Sequence, residues 1–486
     1  MSYRPLPYPR TPILDARSLL VLNRFTAGWT PALGAEVRRA GGIDRWFARQ
    51  LNPGSVPDTF YYASARWWVS NALTPAGIDA RAVAGLETPE MMGANYQRWS
   101  MVRRLRGERQ VQETMAAFWE HHFHVPAAGG AEVRFRSSYG KTLRALALGR
   151  FDTLLHAAVT HPCLGIFLGN AVSTRNAPNE NLGRELLELH TVGRAAGYTE
   201  DDVKASARIL TGYRVDLWKT WSTAYDAAAH WTGPVSVLGF SHANADADGR
   251  AVTQAYLSYL AHHPATARRI AAKLALRFVS DTPSSALVEH LAQVYLANGT
   301  AIAPVLRALV ASAEFRASAG RKVRTPDEDL VASYRALGVA VAPPRRTTSA
   351  ANLLWYQSRY IGQGPFSWPR PDGRPDQGTA WSSVSRVLAS FDVHYHLAGR
   401  RSPPTEIGYR TPRQWLPQRK IRFGQLVDHL SRSILGRPST SRLLLAACQA
   451  TGLRPTTVIT AKHPLLRYSM PALLTVFLDN PTHMTR

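Results

Sequence analysis

Three histidines fall within four residues in Phe118-Trp119-Glu120-His121-His122-Phe123-His124-Val125, after 120 residues that contain none. Imidazole changes charge near neutral pH and is the commonest protein metal ligand. A second segment, Asn179-Glu180-Asn181-Leu182-Gly183-Arg184-Glu185-Leu186-Leu187-Glu188-Leu189-His190, adds carboxylates. At about 100° per helical residue, Asn181, Glu185 and Glu188 share one face with Arg184 beside them, while Leu182, Leu186 and Leu189 form the other, with His190 on its edge. Carboxylates one turn apart can serve as general acid and base or hold a divalent metal. Glu185, Glu188 and His190 are therefore the candidate catalytic groups. His122, Glu185 and His190 are the candidate ligands of a divalent metal. Asn181, Arg184 and His230 are candidates for a polar network that binds substrate or sets the packing. The plainer alternative is an amphipathic helix whose polar stripe faces water, with Arg184–Glu188 as an i,i+4 ion pair.

Standard signatures are absent. A ferritin-like Glu-x-x-His needs Glu at 187, where Leu187 stands, and His-Glu-x-x-His does not occur. Asn244-x-Asp246-x-Asp248-Gly249 opens like an EF-hand loop, but Ala255 occupies the position of its last ligand. No P-loop, dinucleotide fingerprint or Gly-x-Ser-x-Gly elbow is found. Two cysteines, Cys163 and Cys448, exclude a disulfide framework and a Cys-rich zinc module. Trp218, Trp221 and Trp231 surround Tyr225, Asp226 and His230, and could stack a sugar or a base if exposed, or pack a core.

The elements that must position these groups read as helices. Met101, Leu105, Val111, Met115, Trp119 and Phe123 follow a helical period and predict one helix over residues 100–124, with His122 toward the apolar side. His263-Pro264 opens another, which packs Ile270, Leu274 and Phe278 on one face. Thr199-Glu200-Asp201-Asp202 and Thr325-Pro326-Asp327-Glu328 each carry a cap and an acid in the first turn. No Asn-Gly hairpin is flanked by alternating apolar runs, so no large sheet is expected. Irregular segments fall at residues 127–130, 176–179, 215–249, 341–348 and 362–378, and Trp368-Pro369-Arg370-Pro371-Asp372-Gly373-Arg374-Pro375 is a compact proline loop. The class is mostly α with long Pro/Gly loops, and no repeat or clear interdomain linker is present.

The chain of 486 residues carries 58 basic against 34 acidic side chains, a formal charge of +24. Only seven of the bases are lysine, the usage of a GC-rich genome, which explains the choice of Arg but not the excess. A third of that excess lies between Gly399 and Arg442, where ten bases face two acids, Glu406 and Asp428. Arg410, Arg413, Arg419, Lys420 and Arg422 are the candidate polyanion-binding residues, for an anionic glycan, nucleic acid or an acidic protein partner. No interleaved aromatic–basic motif or DNA-reading helix appears, so sequence-specific nucleic-acid recognition is not expected. No segment has the roughly 18 apolar residues of a membrane span. Met1–Arg10 is polar and proline-rich, and Leu19–Leu22 is too short for the core of an export signal, so a cytoplasmic location is expected.

The motif from Asn179 to Gly193, with Gly197-Tyr198-Thr199-Glu200 and Ala207-Arg208-Ile209-Leu210-Thr211-Gly212-Tyr213 after it, closely resembles the bacterial "domain of unknown function 1800" family. So do Leu22–Thr26, Phe118–Val125, His263–Ala267, Lys322–Pro326 and Trp368–Gly373, in order along residues 15–480. The resemblance implies one helical domain, residues 1–486, rather than the three that length alone suggests. It implies little chemistry, but members often carry export signals and often have genes beside a sulfatase-like partner family, which implies an envelope association. An enzyme acting on an envelope-type glycan or other polar substrate is thus one expectation, and a non-catalytic protein docking through the Arg-rich region is the other. One departure stands out. Where the family reads His-Asp-x-Gly-x-Lys-Thr-x-Leu-Gly, this chain has His230-Trp231-Thr232-Gly233-Pro234-Val235-Ser236-Val237-Leu238-Gly239, without the acid and the lysine.

Overall fold

Local signals start most of the helices. Thr199 and Thr325 both form the reciprocal capping box, with Asp202 and Glu328 as the returning acids, and His263 caps the helix that Pro264 opens. A computed structural model describes residues 3–486; Met1 and Ser2, part of the expected 1–486 domain, lie outside the described residues. These residues form 24 α-helices and four two-stranded antiparallel ribbons, Tyr213–Val215 with Thr223–Tyr225, Val235–Val237 with Phe240–His242, Ala340–Val341 with Ile407–Gly408, and Lys420–Arg422 with Val458–Thr460. The mostly helical class and the absence of a large sheet are as expected, and no helix is long and apolar enough to cross a membrane.

The expected helix over 100–124 is two helices, Pro89–Arg106 and Gln110–His122. Gly107 takes an extended backbone and ends the first. The Gln110 side chain then donates to the carbonyls of Arg104 (3.2 Å) and Gly107 (2.6 Å), replacing the helical bonds that are lost. The break has a packing cause. Tyr96, Trp99 and Leu105 belong to one apolar cluster, while Val111, Met115 and Trp119 belong to another. The first cluster draws mainly on residues 19–51 and 111–315, the second on 60–105 and 330–478. Early and late segments of the chain meet: Tyr8 N–H donates to Asp428 (2.7 Å) and Thr11 Oγ1 meets His429 (2.6 Å) on the side of the second cluster, and Trp29 of the first cluster donates from Nε1 to the Ser433 carbonyl (3.1 Å).

Buried ions lie where helices of the two clusters meet. Arg277 pairs with Glu328 and with Asp376 (2.9 Å), and Asp327 takes Arg374 (2.5 Å) and Arg104 (2.7 Å). Burial alone would raise the Asp327 carboxyl, but Arg374 and Arg104 outweigh it and hold it well below the usual carboxylate range. Among the described residues, twelve arginines and Lys322 are buried, against six buried carboxylates, Asp58, Glu113, Glu120, Asp327, Asp329 and Asp428. Thirteen buried bases against six buried acids place seven of the 24 excess positive charges inside, and several of these arginines donate to backbone carbonyls, as Arg24 does to Phe278 (2.9 Å) and Ser318 (2.6 Å).

Candidate functional site

Helix Gln110–His122 buries Met115, Phe118 and Trp119, and this fixes the three histidines at its C-terminal end. Trp119 Nε1 donates to the Ala147 carbonyl at 2.9 Å, so the aromatic residue beside His122 cannot rotate freely. The second motif starts at Glu180, capped by Asn179, and runs as an α-helix to Glu185. Gly183 lets this helix press on its neighbour, since a Cβ there would lie 2.8 Å from the Ala207 nitrogen and 3.0 Å from the Val203 carbonyl oxygen. Leu186–His190 then forms one π-helical turn, closed by Thr191 Oγ1 donating to the Leu186 carbonyl (2.6 Å) and Gly193 N–H to that of Leu187 (2.8 Å). Such wider turns re-aim side chains and are frequent at functional sites.

The two motifs meet through their histidines. His122 Nε2 donates to the His190 carbonyl and His190 Nδ1 to the His122 carbonyl, both at 3.0 Å, with the rings edge to face. Both are buried, and burial first, then the Lys273 charge, pushes His122 well below the usual imidazole range and His190 down to about 3. Both are therefore neutral. His122 Nδ1 accepts from Lys273 Nζ at 3.0 Å, while His190 Nε2 is buried without a hydrogen bond.

Lys273 is a functional group that residue types and spacing do not single out. It lies in helix Pro264–Phe278, and no carboxylate pairs with it among the described residues. Burial, then the neighbouring Arg269 charge, brings its ammonium down to about 7, against a smaller opposing pull from Asp376 and Asp372. The only signal in the sequence is composition: a lysine in an Arg-rich chain, set in Ala-Ala-Lys-Leu-Ala-Leu.

Glu185 is half-buried and, among the described residues, has neither hydrogen bond nor ion pair. Burial raises its carboxyl, and Glu188 and Asp372 add to the rise. Asp372 thus acts electrostatically on both Glu185 and Lys273. It belongs to the proline loop, irregular as expected, which folds over the histidines: the Trp368 carbonyl accepts from His124 Nε2 at 2.8 Å, and Trp368 Nε1 donates to Asp372 at 2.8 Å. Gly373 has φ +73°, and a Cβ there would lie 2.1 Å from the His121 carbonyl oxygen, so only glycine allows the loop this approach.

Other candidates stand apart. Arg184 does not pair with Glu188; it takes Glu200 at 2.6 Å and Glu180 at 3.5 Å, and Glu188 takes Arg194 at 2.8 Å and the Tyr198 hydroxyl at 3.2 Å. The π turn between them removes the i,i+4 register. Asn181 is exposed, with its N–H on Asn179. His230 is buried in its own loop, with Nε2 on Asn244 Oδ1 (3.0 Å) and Nδ1 on Thr211 (3.2 Å to the carbonyl). No hydrogen bond or ion pair joins Asn181 or His230 to the histidine pair among the described residues. Asn244 is thereby spent on His230 and the Trp231 carbonyl, and Asp248 pairs with Arg250, so the EF-hand-like segment is a closed turn.

His122, Glu185 and His190 do not form a metal cage. His122 Nε2 and His190 Nδ1 are committed to carbonyls and His122 Nδ1 faces an amine. The only three-member group of His, Cys, Asp or Glu with mutually close ligand atoms among the described residues lies elsewhere, at Asp329, His394 and His483. Of the basic candidates, Arg413, Arg419, Lys420 and Arg422 are exposed and, among the described residues, free of ion pairs, with Lys420 and Arg422 on one face of a ribbon strand whose Ile421 is buried. Arg410 is half-buried over Trp415, 4.8 Å from its centroid.

Compared with known proteins, residues 20–485 match the family described as "Protein of unknown function (DUF1800)". No curated protein and no solved structure matches.

Proposed function

The chain belongs to the DUF1800 family, and we propose that it is an acid/base enzyme acting on a polar substrate, an envelope-type glycan foremost, with Lys273 as the proton-transfer group. The observation that carries this is the Lys273 amine, brought to about 7, hydrogen-bonded to His122 and, among the described residues, unpaired with any carboxylate. A structural lysine is normally neutralised by an acid; one poised near neutrality can take and return a proton at working pH. His122 Nδ1 orients the amine. Glu185, raised and unpaired, is the complementary carboxyl, and Glu188, tied to Arg194 and Tyr198, holds its turn in place. Pulse acetylation of the folded protein across pH 5–11, read by peptide mass spectrometry, tests the premise. Lys273 should reach half its limiting rate near pH 7, well below an ordinary lysine. Half-reaction above pH 9 would remove Lys273 from this role. With a substrate panel, Lys273→Met and Glu185→Gln should each abolish turnover by the folded protein.

A second reading rests on a separate observation. Between Gly399 and Leu478 the only acids are Glu406 and Asp428, and these face Arg346 (4.0 Å) and Arg432 (2.7 Å), which leaves Arg413, Arg419, Lys420 and Arg422 uncompensated. Such a surface suits an anionic glycan or an acidic protein, bound with steep salt dependence. Reversal of all four charges should lower the salt needed for elution from heparin; unchanged elution would dismiss the surface.

A further inference from the structure

A second polar cluster is independent of the histidine pair. Helix Pro326–Ala336 supplies Asp329 and Ser333, helix Val384–Ala398 supplies His394, and the short helix Pro481–Met484 supplies His483. One ligand atom from each of Asp329, His394 and His483 lies within 4.8 Å of the other two. Ser333 Oγ stands 3.0 Å from His394 Nε2 and 2.9 Å from His483 Nε2. Asp329 is wholly buried, and its Oδ1 lies 3.4 Å from His394 Nε2 without making a hydrogen bond. We propose that Asp329, His394 and His483 bind one Zn2+ ion, with the Ser333 hydroxyl closing the fourth position.

Four donors about 2.0–2.1 Å from a tetrahedral ion stand about 3.3 Å apart. The separations of 3.4, 3.0 and 2.9 Å are of that size. The outer contacts also suit a metal. Asp479 Oδ1 accepts from His394 Nδ1 at 2.8 Å, the carboxylate–histidine arrangement that turns the other ring nitrogen toward an ion. Asp329 Oδ2 is held by Ser390 (2.8 Å) and Arg386 (3.1 Å), leaving Oδ1 for the centre. Arg324 donates to the His483 carbonyl at 2.8 Å and fixes that residue from outside. Two imidazoles with a single carboxylate disfavour Ca2+ and Mg2+, which need more oxygen donors. Asp479 also lines an open groove of about 730 Å³, which leads solvent to the edge of the cluster. The ion would pin the last helix to the middle of Pro326–Ala336, a structural role.

Untagged full-length protein, loaded with Zn2+ and passed through gel filtration, should retain about one equivalent by elemental analysis, as a closed site does. His483→Gln should lose it, His122→Ala should keep it, and Asp479→Asn, outside the ligand set, should weaken affinity about 10- to 100-fold. Retention below a tenth of an equivalent overturns the proposal, as does retention unchanged in His483→Gln. If His483→Gln fails to fold, Asp479→Asn decides: affinity equal to the parent protein refutes the site.

Discussion

Glu185 and Glu120 are both motif carboxylates beside the histidines, and the structure gives them opposite energetics. Glu120 is buried and accepts from Arg136 Nη2 and from the Tyr96 hydroxyl, both at 2.7 Å. Glu120→Gln leaves the buried Arg136 uncompensated, a rupture that costs about 3–5 kcal/mol. Glu185→Gln breaks no pair. It removes a half-buried charge raised by burial, by Glu188 and by Asp372, so stability at pH 7 should be unchanged or rise by no more than about 1 kcal/mol. The sign follows from linkage. A carboxyl with a raised folded pKa binds its proton more tightly when folded, so the parent protein loses stability as pH climbs from the ordinary 4.5 through the folded value. Glutamine lacks that loss, so the variant's advantage should open over this interval and then stay constant. Urea denaturation from pH 4 to pH 8, with far-ultraviolet dichroism as the readout, measures both variants. A loss above about 2 kcal/mol for Glu185→Gln at pH 7, of the size of a broken buried contact, would refute the reasoning and make Glu185 a packing residue.

Lys273→Met should reverse the pH dependence in its own window. Between about 7 and 10.5 the unfolded chain holds a Lys273 proton that the folded chain has released, so parental stability rises with pH. The methionine variant should be the more stable near pH 6 and lose that lead toward pH 10, by at most about 1.4 kcal/mol per unit; parallel profiles would contradict the lowered ammonium. Gly373→Ala combines a left-handed backbone, which costs a residue with a Cβ about 1–2 kcal/mol, with a clash on the His121 carbonyl. Amide exchange in residues 366–378 should accelerate, and parental exchange rates would show that the loop does not depend on this approach.

The local parts of the fold were legible. The caps at Thr199 and Thr325 and the helix start at Pro264 need only nearby residues, and the structure uses all three. The break at Gly107 was not, because the apolar period runs through it unbroken and the interruption reflects two separate clusters. The Arg184–Glu188 pair failed for a related reason: a π turn is stabilised by its tertiary surroundings and leaves no mark in residue spacing. Periodicity brought His122 to the apolar side but could not supply Lys273 or Asp372, which come from distant helix and loop segments. Charge counting could not tell an exposed arginine from one of the twelve that are buried.

The contacts of the first residues have a consequence for how the protein is made. Tyr8, Thr11 and Trp29 find their partners at Asp428, His429 and Ser433, more than 400 positions later. During synthesis, at about 5–20 residues per second, the leading segment waits tens of seconds before its docking surface leaves the ribosome. Its apolar run Leu19–Leu22 can meanwhile pack on the cluster completed by residues 111–315, but Tyr8 and Trp29 lack these partners until helix Phe423–Ile434 emerges. Ribosome-bound chains halted before Asp428 should therefore hold this segment open to proteases and chaperones, and the native state is reached only when the end of the chain captures its beginning.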